Sequence, residues 1–156
     1  MVKRTSLAAN DCPIARALDI IGDWWSLLII REALLGRRRF GEFQKSLGLA
    51  KNILTTRLRT LVDRGILEMT PASDGSAYQE YVPTEKGRGI FPILVALRQW
   101  TEEFDEHPEE ISTLLVDRDS GRPVKKLELR ASDGRLLGLG DTTLKPAAKH
   151  RRRALA

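Results

Sequence analysis

The stretch GLAKNILTTRLRTLVDRG, residues 48–65, joins the end of a short helix, a tight glycine turn and a second, amphipathic helix within a few residues. Leu54, Leu58 and Leu61 recur at i, i+4 and i+7, so one face of the second helix is bound for a core. The opposite face carries Lys51, Asn52, Thr55, Thr56 and Arg59, side chains able to donate to phosphate oxygens and to base edges. They occupy the start and middle of the helix, where a recognition helix meets a major groove. A solvated helix also shows polar residues outward, so the flanking sequence has to decide between the two.

The chain has 156 residues, enough for one domain with a proper core, and 42% hydrophobic with 30% charged residues is a soluble, globular composition. A formal charge of +5 suits a polyanionic partner, nucleic acid first and an anionic membrane surface second. No apolar run approaches the roughly 18 residues needed to span a bilayer. The polar start MVKRTSLAAND lacks a signal peptide's apolar core, so the expected location is the cytoplasm. A single cysteine excludes an internal disulfide framework, and two histidines, His107 and His150, form no metal-ligand cluster. No cofactor is expected. Without a Gly-rich phosphate loop or a His-bearing cluster, an enzyme is not expected either.

In chain order, residues 1–11 read as a flexible basic arm bearing Lys3 and Arg4. Asp11-Cys12-Pro13 opens a helix, because proline suits the first helical position. Ile14, Ala17, Leu18 and Ile21 form its apolar face, and Gly22 stops it. Asp23 caps a second helix from Trp24 to Leu35, apolar around so much of its surface that burial on most sides is predicted. Arg37, Arg38 and Arg39 precede Phe40, Phe43 and Leu47 of a short third helix. Three cations at a helix start oppose its dipole unless an anion arrives, and a DNA phosphate would serve; a solvated loop is the alternative.

After the fourth helix the period changes. Ile66, Leu67 and Met69 predict a strand, Ser73-Asp74-Gly75-Ser76 a turn and Tyr78 to Val82 a second strand. A hairpin behind a helix-turn-helix is the plan of a winged helix. Thr84 then caps a predicted long helix, Glu85 to about Glu106, bent at Pro92. Its stripe Ile93, Leu97, Trp100 and Phe104 is the expected dimer interface, widened by Phe91, Leu94 and Val95 beyond the needs of one domain; a broad core face is the alternative. Trp24 and Trp25 with Trp100 either frame an apolar effector pocket or pack in the core.

The ordered set Cys12-Pro13, Ile21-Gly22-Asp23-Trp24-Trp25-Ser26-Leu27-Leu28-Ile29, Arg39-Phe40-Gly41-Glu42-Phe43, Leu54-Thr55-Thr56-Arg57-Leu58 with Gly65-Ile66-Leu67, then Tyr81-Val82-Pro83-Thr84-Glu85-Lys86-Gly87 and Trp100 resembles the HxlR family. These are bacterial winged helix-turn-helix transcription regulators, and the resemblance covers residues 12 to about 106. It implies a homodimer on double-stranded DNA, reading a pseudo-palindromic operator, with half-site centres about 34 Å apart. Carried over by position, Lys51, Asn52, Thr55, Thr56 and Arg59 are the implied DNA-contacting set. Arg57 either joins them or braces the third helix or an acidic residue such as Glu42.

Several members of the family use a cysteine at the position of Cys12 to sense oxidants, quinones or aldehydes. A helix N-terminus favours the thiolate, so Cys12 is the candidate redox-sensing residue; the alternative is a small buried residue packing at a helix start. A small-molecule or oxidant effector is the corresponding partner. Three positions depart from the family pattern: Trp24 where a basic residue is common, Ala50 in place of a serine cap, and residues 71–80, which hold no basic residue where relatives carry a wing arginine.

Alternation at Ile111, Leu114 and Val116, then at Leu127, Leu129 and Ala131, with turns at Asp119-Ser120-Gly121 and Ser132-Asp133-Gly134, predicts a small β appendage over 107–144. It lacks cysteines, so no zinc is expected. KPAAKHRRRALA from Lys145 reads as a basic disordered tail, 145–156. The expected fold is thus α+β: a mainly helical winged helix-turn-helix domain over 12–106, with a long dimerisation helix and the appendage. The expected function is sequence-specific DNA binding in transcription regulation, as a dimeric repressor. A winged-helix module that binds protein instead of DNA is the alternative.

Overall fold

The computed structural model describes residues 6–145. Two compact units divide between Phe104 and Asp105. The first contains α1 (Pro13–Ile21), α2 (Trp24–Leu34), α3 (Phe40–Leu47), α4 (Lys51–Asp63), β1 (Leu67–Pro71), β2 (Gln79–Pro83), α5 (Glu85–Arg88) and α6 (Phe91–Phe104). This is a winged helix-turn-helix: α3, the turn at Gly48 and α4 are followed at once by the β1–β2 hairpin.

Local chemistry explains the element ends. Cys12 is the N-cap of α1 with Pro13 in its first turn, and the Gly22 amide closes the helix on the Leu18 carbonyl at 2.9 Å. Asp23 caps α2 by accepting from the Ser26 amide at 3.0 Å. Gly48, at φ 64°, ends α3 in the left-handed conformation that turns the chain into α4. Leu54, Leu58 and Leu61 are fully buried against Ile29, Ile30 and Phe43, with Ile66 and Leu67 leading into the wing. Each such leucine contributes about 1.5–3 kcal/mol relative to exposure. β1 and β2 pair antiparallel, with Leu67 opposite Pro83 and Pro71 opposite Gln79.

Three expectations change. The single bent helix from Glu85 is two helices, since the chain turns at Gly89-Ile90 and restarts at Phe91. Pro92 therefore lies in the first turn of α6, where its missing N–H breaks no helical bond and no bend is needed. α2 is buried on most sides as expected, through Ser26, Ile29, Ile30, Glu32 and Ala33, while Trp24 at its start is 74% exposed and Leu35 past its end is exposed as well. The apolar face of α1 is open at Ile14 and Leu18; of that face Ile21 is buried in the core, and Ile20 beside it packs against the core.

Of the expected arm, residues 6–11 are tied to α1: the Leu7 amide donates to Asp19 at 2.8 Å and the Asn10 side chain accepts from the Cys12 amide at 2.9 Å. Residues 1–5, with Lys3 and Arg4, and residues 146–156 of the expected basic tail lie outside the described residues.

The second unit carries its β character as isolated bridges, Val116 with Pro123 and Arg130 with Leu136, rather than as strands. The two turns form at the expected glycines, Gly121 at φ 67° and Gly134 at φ 86°. Asp117 accepts from the Ser120 amide at 2.7 Å in the first of them, and this bond, with those from the Ser120 hydroxyl and the Asp119 amide, holds its carboxyl below the usual range. Leu114, Leu127, Leu129 and Leu136 are exposed, so nothing within the unit drives a ladder to form.

Candidate nucleic-acid interface

On α4 the leucine stripe fixes which side faces out. Lys51, Asn52, Thr55, Thr56 and Arg59 are all exposed, over a row of fully buried leucines. Ala50 caps the helix with no side-chain hydrogen bond. Thr55 and Thr56 donate their hydroxyls to the Lys51 and Asn52 carbonyls at 2.8 and 2.9 Å. Arg57 points elsewhere: half-buried, it pairs through Nε with Oδ1 of Asp23 at 3.4 Å, bracing α4 on the cap of α2. Glu42, the other acid considered for it, instead accepts from the Arg39 and Arg38 amides at 2.9 and 2.7 Å, and these bonds hold its carboxyl below the usual glutamate range. Beside α4, a groove of about 320 Å³ runs to the wing, lined by Thr55, Arg59, Val62, Asp63, Met69 and Tyr81.

The three arginines before α3 each meet a carboxylate. Arg37 pairs with the buried Glu32 at 2.9 Å, and Glu32 also takes Arg31 at 2.6 Å and the Ser46 hydroxyl at 2.5 Å. Burial raises the Glu32 carboxyl, but these partners outweigh it and leave it below the ordinary range. Arg38 and Arg39 reach Glu80 on β2 at 3.5 and 3.6 Å, and Arg39 reaches Asp74 at the wing tip at 2.5 Å. The Arg39 guanidinium also lies 5.9 Å from the centre of the Tyr78 ring. Glu80 is buried and accepts from Ser73 at 3.0 Å; burial raises its carboxyl and the bonds from Ser73 and Arg38 lower it below the ordinary value. The sequence places the cations but not these partners, which lie up to 42 residues away.

The stripe Ile93, Leu97, Trp100 and Phe104 lies exposed along α6, and Trp100 and Phe104 are in ring contact at 6.0 Å. The open apolar side chains of α1 and Trp24 were not foreseen as part of such a surface. Trp24 and Trp25 meet edge to face at 6.4 Å. Clefts of about 490 and 390 Å³ adjoin Trp24; the first takes Trp25, Ile53 and Arg57, the second Leu27, Leu28, Leu94 and Leu97, and Trp100 lines neither. Cys12 is exposed, which removes its reading as a packed core residue. Among the described residues no three His, Cys, Asp or Glu side chains gather as a metal site, and no helix is long and apolar enough to cross a membrane.

Comparison with known proteins agrees with this geometry. MT3179 of Mycobacterium tuberculosis, an uncharacterized HTH-type transcriptional regulator, is 43% identical over 96 residues, which span 62% of this chain and 61% of that protein's length. The crystal structure of PA1607, a candidate transcription factor, superposes with a TM-score of 0.87 at 55% identity, covering 92% of this chain and all of that one. The Bacillus subtilis transcriptional regulator YodB, solved in reduced form and with quinone bound, gives a TM-score of 0.54 at 27% identity in the reduced form, over 61% of this chain and 95% of YodB. The family described as HxlR-like helix-turn-helix matches residues 20–109, over half of the chain, and the chain belongs to that family.

Proposed function

We propose that the chain is a sequence-specific, DNA-binding transcriptional regulator that acts in the cytoplasm as a dimeric repressor. The observation that carries this reading is the exposed polar face of α4, Lys51 to Arg59, held outward by three fully buried leucines in a helix-turn-helix scaffold. Lys51, Asn52, Thr55, Thr56 and Arg59 meet the major groove. Arg57 positions the helix through Asp23 rather than contacting DNA. The exposed stripe of α6, with Trp24 and the open face of α1, supplies the contact with a second copy, which sets two recognition helices on a pseudo-palindromic site.

A sensing role for Cys12 has two supports: its exposure at the start of α1, and the likeness to YodB, a regulator solved with quinone bound. With no second cysteine in the chain, such a switch proceeds by alkylation, by a mixed disulfide or by a bond to the other subunit.

The test is fluorescence anisotropy of the reduced protein on DNA from its own upstream region and on an unrelated duplex, over a salt series. Specific binding exceeds nonspecific binding by at least about a thousandfold, with a steep salt slope, if the reading holds. Equal weak binding to both duplexes, with no site recovered by selection from genomic fragments, leaves a protein-binding module instead.

A further inference from the structure

The wing, residues 71–80, has no cation of its own, yet a guanidinium sits at its tip. Arg39 reaches it from the start of α3, where Nη2 meets Asp74 at 2.5 Å and Glu80 at 3.6 Å, and Tyr78 lies beside the guanidinium. The two acids differ. Glu80 is buried and already bound by Ser73 and Arg38. Asp74 is half in water, at the tip of the hairpin, on a turn closed by the Ser76 amide at 3.0 Å and by Gly75 at φ 75°. A carboxylate and a phosphate offer a guanidinium the same paired oxygens. While Asp74 is in place, the charge of Arg39 is neutralised and releases no counterion from DNA.

We propose that Asp74 is a phosphate mimic, holding Arg39 in reserve and giving way to a backbone phosphate when the wing meets DNA. The proposal rests on the DNA-binding reading above. It makes wing contact an exchange of one anion for another, so Arg39 adds little net affinity, and Asp74 sets how tightly the protein holds DNA of any sequence. Glu80 keeps the arginine at the base of the wing, while Asp74 decides whether its outer end is available.

The experiment uses the full chain and a labelled 30-base-pair duplex of arbitrary sequence, because phosphates are common to all sequences. Asp74→Asn keeps an oxygen for the Ser76 amide and removes the charge; Asp74→Ser, whose hydroxyl can close the same turn, is run beside it, with circular dichroism to verify folding. Both variants should bind about two- to fivefold tighter than the parent at low salt, the range set by an exposed ion pair. The slope of log K against log salt should steepen by about 0.9, one added phosphate contact. Both gains should vanish when Asp74→Asn is made in an Arg39→Gln background. Unchanged or weaker binding by both variants overturns the proposal, as does a gain that persists undiminished without Arg39, which would be plain charge repulsion. If neither the parent nor any variant binds the duplex, the DNA-binding reading falls and the proposal with it; parental binding without the Asp74 effect removes the proposal alone.

Discussion

Gly87→Ala tests the close packing of α5 on the Ile66 carbonyl, at the start of the wing. A Cβ at Gly87 would lie 2.2 Å from the Ile66 carbonyl oxygen, whereas ordinary contact begins at 3.4 Å, so the backbone must part by 1.2 Å. That oxygen is not free to move. It accepts from the Thr84 amide at 3.1 Å and the Thr84 hydroxyl at 3.2 Å, while the same hydroxyl caps α5 by accepting from the Gly87 amide at 3.1 Å. Weakening two bonds costs about 1–3 kcal/mol and the overlap itself about 1–3 kcal/mol. Replacing glycine in a helix returns about 0.5–1 kcal/mol. The net loss is about 1–5 kcal/mol, and each kcal/mol lowers Tm by about 4–8 °C for a unit of this size. Gly89→Ala is the control, since its Cβ meets only the Lys86 and Glu85 carbonyls at 3.3 and 3.6 Å. Urea and thermal unfolding of both variants read the difference. If Gly87→Ala lies within about 0.5 kcal/mol of Gly89→Ala, the Ile66 carbonyl yields freely and the packing argument is wrong.

Trp100→Glu, at a side chain 64% exposed in the single chain, should leave Tm nearly unchanged while raising the dimer dissociation constant more than about 30-fold by sedimentation equilibrium; a parent protein that is monomeric at tens of micromolar would refute the interface. Arg59→Ala should cost about 1–3 kcal/mol on a selected operator and relax preference at one position, whereas equal affinity for operator and scrambled DNA before and after the change would take Arg59 off the interface. Cys12→Ser should abolish operator release by diamide or a quinone, and release that persists in the variant would exclude Cys12 as the sensor. Glu32 has a folded-state pKa below its ordinary 4.5, so its stabilisation is complete above pH 4.5 and is lost as pH falls through the lowered value. Glu32→Gln should cost about 1–3 kcal/mol at pH 7, less than a fully buried pair because Arg31 and Arg37 rehydrate, and should flatten the urea stability profile below pH 4.5; an unchanged profile would assign the acid sensitivity to other carboxylates.

Elements whose signals are local were legible in the sequence. The cap at Asp23, the proline at the start of α1, the glycine turn at Gly48 and the leucine period of α4 each act within a few residues, and the helix-turn-helix with its wing follows from them. Pro92 was misread because one proline can bend a helix interior or open a first turn, and the break at Gly89-Ile90 decides which. The apolar face of α1 was legible as a face but not as an open one, since periodicity does not say whether a chain's own core or another surface covers it. The same holds for the alternating residues past Pro108, which have a strand's period but pair across their turns at isolated bridges. The candidate site was half legible: the outward side chains of α4 follow from its period, whereas the partners of Arg37, Arg38, Arg39 and Arg57 are set by the fold.

The Tyr81 amide donates to the Arg38 carbonyl at 2.8 Å, away from β1, so the segment before α3 lies along the outer edge of β2. An outward amide at Tyr81 makes its pairing with Met69 a non-hydrogen-bonded one. The outward positions of β1 are then Leu67, Met69 and Pro71, and proline has no N–H to give. A foreign strand approaching the wing finds one margin occupied and the other reduced to two donors, too few to template a ladder. The hairpin is thereby protected against growing into an intermolecular sheet, although both strands of this small two-stranded sheet are edge strands.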